Sequence, residues 1–522
     1  MRQPIESEGP FLNCGTLNAL SFQVRKKAPL SFVAPRHTEG MKEKILFLGP
    51  EGRYHEECGV FAIYAPQRDV AHLTYYGLFA LQHRGQEGCG IAVMDGASIR
   101  YKKDLGLVPE VFNERDMQAL TGQLAIGHVR YSTTGDNTQV NTQPLVGQCQ
   151  LGSIALAHNG NLANTDELRA ELEKEGAIFQ TSTDTEVVLH WLARCKGVPL
   201  HEAFLQIMKK LKGSYAFVAL SDKKLTVARD LCGNRPLCLG RLGEGEYVVA
   251  SESCALATVG ATFIRDLDPG EVLVIDETGL HSYSALNGEK PRCAHCIFEY
   301  VYFARPDSTL DGINVNRARR KMGEILAREI AHLDVDRVIP VPDSGTTAAV
   351  GLAQEKGIPL TQGILKNRYA GRTFIQPTQA LRELMVNLKL NPIEEEIRGL
   401  RIAVVDDSIV RGTTSRRLVT RLRERGAKEV HFCVVCPPVK YPCFYGIDTG
   451  ERDTLIAATH DKDAICKAIG ADSLHFISLE GLIEAVGGEP HFCTACLNGE
   501  YLMGKPSATC TPKTCCMRLK DQ

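Results

Sequence analysis

Apolar and polar positions change rhythm along the chain, and each rhythm predicts a different kind of structure. Residues 1–57 hold no sustained period; Pro, Gly, acidic residues and the basic run Arg25-Lys26-Lys27 are mixed without order. From Glu57 come the short runs CGVFAIYA, CGIAVMD, GSIALAHNG, GSYAFVALS and EYVVASE, bounded by Gly, Asp or Asn. Such runs predict strands separated by turns. Helical spacing falls between them, as in TDELRAELEKEG, where Thr165 or Asp166 is placed to cap the start and Gly176 the end. Clustered, antiparallel-looking strands make the region to about residue 285 α+β.

The stretch SALNGEKPR (284–292) predicts a linker. After it the pattern alternates: a helix over Arg317–Ile330, a strand in DRVIPVPDS, a helix over Thr346–Lys356 and strands in LTQGILKNR and RIAVVDDS. A helix over Ser415–Arg425 and a strand in EVHFCVVCPP follow. Continuous apolar strands between amphipathic helices predict a parallel sheet covered on both faces. The expected division is a leader (1–57), a first domain (58–290), a second domain (291–470) and a cysteine-rich C-terminal segment (471–522), with no internal repeat.

Composition narrows the class. Of 522 residues 44% are apolar and 23% charged, enough for ordinary cores in about two to four domains and too apolar for global disorder. The net charge of −2 offers no basic footprint for nucleic acid, and no apolar run approaches the roughly 18 residues of a membrane span. No secretory start is visible, so a reducing, cytoplasmic location is expected. The 19 cysteines then read as small buried hydrophobes, metal ligands or nucleophiles, not as a disulfide framework. Glu6, Glu8 and Glu39 fit a transit peptide poorly and Met41 offers a second start; a removed leader is the expectation.

Cys58 stands where the irregular leader meets the first strand. Cleavage after Glu57 would give it a free α-amine, a general base beside its own thiol nucleophile. LQHRGQEG and IGHVRYST supply fixed cations, Arg84 and Arg130; LAHNGNL supplies Asn159 and Gly160 for an oxyanion; TSTDTE supplies Asp184 for a substrate ammonium. With the amine as base, His83, His128 and His158 read as structural. In this order the segments closely resemble the N-terminal-nucleophile glutamine amidotransferases. That resemblance implies an αββα sandwich and glutamine hydrolysis by Cys58, with Arg84, Arg130 and Asp184 as the glutamine-binding residues.

RIAVVDDSIVRGTTSRRL (401–418) is the most specific run. A buried strand ends in Asp406 and Asp407, suited to ribose hydroxyls and Mg²⁺. Ser408, Arg411, Gly412, Thr413 and Thr414 then lead into a helix whose N-terminal amides suit a phosphate. A Walker loop is excluded, because no GxxxxGK[ST] occurs. VIPVPDSGTTA places Ser344 for pyrophosphate or metal, and KNRYAGRTFIQPTQALRE offers Lys366, Arg368, Arg372 and Arg382 to close over a polyanion. The run matches the binding motif of type I phosphoribosyltransferases, which bind phosphoribosyl pyrophosphate (PRPP), and implies their α/β parallel-sheet fold.

Together the two halves, with CIFEYVYFARPDS (296–308), resemble the glutamine phosphoribosylpyrophosphate amidotransferases from about Glu57 to Tyr501. The resemblance implies synthesis of 5-phosphoribosylamine from PRPP, glutamine and water, with ammonia passed between two sites, as the first committed step of purine synthesis. It also implies Mg²⁺ at Asp406, Asp407 and Ser344, purine nucleotides as inhibitors, and a homodimer or homotetramer. By spacing alone, the CxxC of Cys493 and Cys496 with the distant Cys296 and Cys443 suits a [4Fe–4S] cluster or zinc, with Cys293, Cys436, Cys510, Cys515 and Cys516 as rivals. The iron–sulfur branch of the family carries its [4Fe–4S] cluster at positions matching Cys296, Cys443, Cys493 and Cys496. Two alternatives stand beside this reading: another amidotransferase making a hexosamine or amino-acid amide, and a non-catalytic PRPP-sensing regulator.

Overall fold

The computed structural model describes residues 58–96, 98–131, 136–367, 390–488 and 491–506. The leader, Arg368, Arg372, Arg382, Cys510, Cys515 and Cys516 lie outside the described residues.

The first half consists of strands β1 (Gly59–Tyr64), β2 (Gly88–Asp95), β3 (Ser98–Leu105), β4 (Leu124–Arg130), β5 (Leu145–Cys149), β6 (Gly152–Leu162) and β7 (Gly213–Ser221). It continues with β8 (Lys224–Arg229), β9 (Cys238–Gly243), β10 (Glu246–Ala250), β11 (Thr262–Asp266), β12 (Glu271–Asp276) and β13 (Gly279–Ser284). They form a seven-stranded sheet, β11-β9-β10-β1-β4-β2-β3, and a six-stranded sheet, β13-β12-β8-β7-β6-β5.

Alternation along each strand sets the layers. On β1, Phe61 and Ile63 join a core that includes Val70, Ala71 and Leu78 of the helix Val70–Ala80, while Val60 and Ala62 pack with Ala157 and Val218 of the second sheet. Burying a side chain such as Phe61 or Ile63 contributes roughly 1.5–3 kcal/mol. A third core joins Leu156 and Phe217 to the helices Thr165–Lys174, Asp184–Arg194 and Leu200–Met208. The outcome is the expected αββα sandwich. Its edge strand β3 (SIRYKKDL) carries charge that discourages further pairing. The cap of the helix Thr165–Lys174 differs from expectation: Asn164 takes the N-cap position, and Thr165 Oγ1 instead donates back to the Leu162 carbonyl.

In the second half, strands Arg337–Pro340, Arg401–Asp406, Glu429–Val434 and Ser473–Phe476 pair in parallel in that order. The helices Val315–Glu329, Thr346–Lys356, Thr413–Glu424, Lys462–Ile469 and Leu479–Ala485 contribute buried side chains to the same core. Two departures have a physical reason. LTQGILKNR meets this sheet at its start, where Leu360 makes an isolated parallel bridge to Val338, and does not continue in it: Ile364–Lys366 pairs antiparallel with Leu390–Pro392, and of those three residues only Ile364 is buried. The fourth parallel strand, Ser473–Phe476, lies beyond the expected boundary at 470; its sequence, SLHF, is too short and polar to carry a strand signal.

Candidate active sites

Sheet register builds the first site. β1 pairs with β4 so that Gly59 faces Val129, which brings Cys58 beside Arg130 and Tyr131. Cys58 is buried; its Sγ donates to the Tyr131 carbonyl at 3.3 Å, and the Tyr131 N–H points at the sulfur at 3.4 Å. Burial pushes the thiol up to about 11, against the pull of the Tyr131 backbone and the Arg130 charge. Near neutral pH the thiol therefore keeps its proton and needs a base.

Cys58, Arg130, Tyr131, Gln143, His158, Gly160, Thr183 and Asp184 line one cavity. Arg130 is held by Asn137 Oδ1 at 3.4 Å and the Asp136 carbonyl at 3.2 Å. Asp184 opens the helix Asp184–Arg194; its Oδ2 accepts from the Leu162 N–H at 3.0 Å, and its Oδ1 stands 3.4 Å from His158 Nδ1. Burial alone would raise this carboxyl, but His158 and the hydrogen bonds outweigh it and hold Asp184 below the usual range. A fixed cation and a fixed anion thus face one small space, the complement of a zwitterionic amino acid.

Gly160 sits on β6 at φ +139°, where a Cβ would fall 2.3 Å from the Ser214 carbonyl oxygen, so only glycine fits. Asn159 is buried beside it, with Nδ2 donating to Ser251 Oγ at 3.4 Å and Oδ1 without a partner. Two expectations change. Arg84 does not line the cavity: buried behind it, its Nε donates to the Cys58 carbonyl at 3.1 Å, and its other nitrogens bind Glu252 at 2.6 Å and Glu299 at 2.5 Å. Two buried carboxylates and a carbonyl occupy the guanidinium that was expected to bind glutamine. His158, read as structural, is a cavity wall. His128 does fit a structural role; burial pushes it down to about 3, and its Nε2 donates to the His158 carbonyl at 3.0 Å. Gln143, whose Oε1 accepts from the His158 N–H at 2.7 Å, was missed because NTQPL carries no motif.

The second site lies at the carboxyl ends of the parallel strands, where such sheets bind ligands. Asp406 ends the strand Arg401–Asp406, and both it and Asp407 are buried. The Asp407 N–H donates to Asp406 Oδ1 at 3.0 Å, while the hydroxyls of Ser344 and Ser408 donate to the Asp407 carboxylate. Gly412, at φ +74°, turns the chain into the helix Thr413–Glu424, with Ser408, Arg411 and Thr414 half-buried and Thr413 exposed. Lys366 Nζ donates to Asp343 Oδ2 at 2.6 Å, beside Ser344. Arg319, absent from the sequence reading, is buried within electrostatic reach of Asp407, and burial lowers it to about 10. Two carboxylates and a hydroxyl are hard oxygen donors, the kind Mg²⁺ takes.

The four cysteines also converge. Cys296 and Cys493 face each other across the parallel pair His295–Cys296 and Phe492–Cys493. Burial, reinforced by Cys443, Cys493 and Cys296, drives Cys496 well above its ordinary value. Cys436 joins this group more weakly, and Cys293 is half-buried near Cys232. Among the described residues no three His, Cys, Asp or Glu side chains close around a single metal ion. An all-sulfur donor set nevertheless has the chemistry of iron–sulfur ligation.

Known proteins share this plan. The glutamine amidotransferase domain profile matches residues 128–258, and the phosphoribosyl transferase domain profile matches residues 314–452. The amidophosphoribosyltransferase of Methanocaldococcus jannaschii is 49% identical over 460 residues, covering 85% of this chain and 97% of that one. The chain belongs to the amidophosphoribosyltransferase family. The structure of glutamine PRPP amidotransferase from B. subtilis, complexed with ADP and GMP, matches with a TM-score of 0.82 at 47% identity, covering 88% of this chain and 100% of that one. A second structure, of the allosteric regulatory enzyme of purine biosynthesis, matches with a TM-score of 0.83 at 47% identity, covering 88% and 99%. As an amidophosphoribosyltransferase, the chain joins its amidotransferase half to its phosphoribosyltransferase half in that order. No described helix is long and apolar enough to cross a membrane.

Proposed function

We propose that the chain converts PRPP, glutamine and water to 5-phosphoribosylamine, glutamate and pyrophosphate, the first committed step of purine biosynthesis. The observation that carries this reading is the cavity in which Cys58, Arg130, Gly160 and Asp184 meet; family membership supports it. Residues 58–290 act as the glutaminase and residues from 291 as the transferase, with the leader removed after Glu57.

The freed α-amine of Cys58, with a pKa near about 7.7–8.0, takes the thiol proton as Sγ attacks the glutamine carboxamide carbon. Arg130 holds the substrate carboxylate and Asp184 its ammonium. The Gly160 N–H and the Asn159 amide receive the oxyanion. Collapse returns the proton to the departing ammonia, and water hydrolyses the thioester to glutamate and free thiol. An enclosed passage keeps the ammonia unprotonated until it attacks C1 of PRPP and pyrophosphate leaves.

Asp406 and Asp407 hold the ribose hydroxyls, while Ser408, Arg411, Gly412, Thr413 and Thr414 take a phosphate. Lys366, Arg368 and Arg372 meet the pyrophosphate. Mg²⁺ bound by Asp406, Asp407 and Ser344 would neutralise pyrophosphate charge. A [4Fe–4S] cluster on Cys296, Cys443, Cys493 and Cys496 would tie the C-terminal segment to the transferase half as a structural link. Purine nucleotides act as feedback inhibitors of a cytoplasmic homo-oligomer; the ADP and GMP bound by the B. subtilis relative support nucleotide control.

Protein purified without oxygen should release glutamate and pyrophosphate in equal amounts from glutamine, PRPP and Mg²⁺. Its intact mass should start at Cys58, with about four iron and four sulfide per chain. Full activity in a chain that keeps its leader refutes the amine base, and zinc without iron refutes the cluster.

A further inference from the structure

Gly160 is clamped from two sides, and one of them comes from the transferase half. On the first side lies Ser214 of β7, whose carbonyl oxygen would stand 2.3 Å from a Cβ on Gly160. On the second lies Gly446, at φ +120°: a Cβ there would stand 3.5 Å from both Cα and the carbonyl carbon of Gly160. The jaws are joined, because Ser214 Oγ donates to the Tyr445 carbonyl at 2.6 Å, and Asn161 Nδ2, one residue past Gly160, donates to the Phe444 carbonyl at 3.0 Å.

The Phe444–Gly446 turn is itself braced. Tyr445 is 1% exposed; its hydroxyl donates to the Gly504 carbonyl at 2.8 Å and accepts from the Met503 N–H at 3.0 Å. The Gly213 N–H donates to the Met503 carbonyl at 3.0 Å, closing the ring between the C-terminal segment and β7. None of Ser214, Tyr445 and Gly446 lines the Cys58 cavity. Their contacts end on Gly160, which does line it.

We infer that the Tyr445–Gly446 turn and Ser214 are positioning residues for hydrolysis at Cys58: they fix the direction of the Gly160 N–H toward the developing oxyanion. The inference rests on the reading of Cys58 and Gly160 as the acyl-transfer centre. Preorganised donors stabilise a transition state only while their direction holds, so a turn supplied by the transferase half conditions the rate of the glutaminase half. Substrate binding, by contrast, depends on Arg130 and Asp184, which this clamp does not touch.

Two variants test it in the full chain. Gly446→Ala adds a side chain at a positive φ and against Gly160; Ser214→Ala removes the bond to Tyr445 and leaves the cavity walls intact. In both, the kcat for glutamine hydrolysis should fall about tenfold or more, toward the loss expected for an oxyanion donor. The KM for glutamine should stay within about twofold, a split that a general loss of structure does not produce. Synthesis from free ammonia should keep the wild-type rate. Should Gly446→Ala fail to fold, Ser214→Ala decides alone. An unchanged kcat in Ser214→Ala, or an equal fall of the glutamine- and ammonia-dependent rates, overturns the inference. A wild-type chain that releases no glutamate would instead overturn the reading of Cys58.

Discussion

The Cys58 cavity and the Asp406–Asp407 strand end are built in opposite ways. Around Cys58, groups far apart in sequence come from separate elements: Arg130 by antiparallel register beside β1, Gly160 from the second sheet and Asp184 from a helix start, and Arg130 and Asp184 are each held by neighbouring backbone groups. At the second site most of the groups follow one another from Asp406 to Thr414, because a parallel strand delivers its end directly into a turn and a helix. The first arrangement holds one cation and one anion fixed across a small cavity. The second is a short contiguous motif, with cations such as Lys366 brought from a separate ribbon. The difference teaches where each site is vulnerable: the first to changes in sheet packing, the second to changes in the motif itself.

The sharpest way to break the comparison is to disable each site separately. Cys58→Ala should reduce glutamine-dependent synthesis by at least about 10⁴-fold and leave ammonia-dependent synthesis intact. Asp407→Asn should depress both, by about 10²–10³-fold, because both nitrogen sources meet the same ribose. Rates with each nitrogen source, measured side by side, check this; loss of ammonia-dependent synthesis in Cys58→Ala would mean the sites are not separable.

A smaller effect sharpens the packing side. Arg84→Ala removes the guanidinium shared by the buried Glu252 and Glu299 and leaves them with His83 and Arg235. Although burial alone would raise Glu252, His83 and Arg84 hold it well below the ordinary carboxylate range. The variant should lose about 3–5 kcal/mol of stability, while the folded fraction keeps its KM for glutamine. Denaturant unfolding and steady-state kinetics separate the two; a raised KM at unchanged stability would return Arg84 to the substrate.

The smallest effect concerns the joint between the halves. Asp266, at the end of β11, is pushed up to about 6, first by burial and then by the Asp311 charge, with Arg229 pulling the other way. Its folded value exceeds the unfolded one, so the folded chain holds an extra proton between about pH 4 and 6. Stability should therefore fall as pH rises through that window and level off above it. Asp266→Asn should flatten the fall and leave the variant more stable than wild type at pH 7, by about 2 kcal/mol. Unfolding followed from pH 4 to 7 reads it; identical slopes in both proteins would refute the assignment.

Contiguity decided what was legible. The run from Asp406 to Thr414, the alternating helix-and-strand order of the second half and the strand-and-turn pattern of the first are local in sequence, because a strand end, a turn and a helix start need residues adjacent along the chain. Cys58, Asn159, Gly160 and Asp184 were legible as motifs, one by one. Tertiary structure alone decided which of them face one cavity. Arg84 and Arg130 look alike as cations after apolar runs, yet Glu252 and Glu299 claim the first and the cavity keeps the second. His158 and Gln143 became walls of the site, and Gly446 came to rest against Gly160, through pairings between residues tens to hundreds of positions apart. Sequence spacing carries no distance between such residues; sheet register and the packing of buried charge set it.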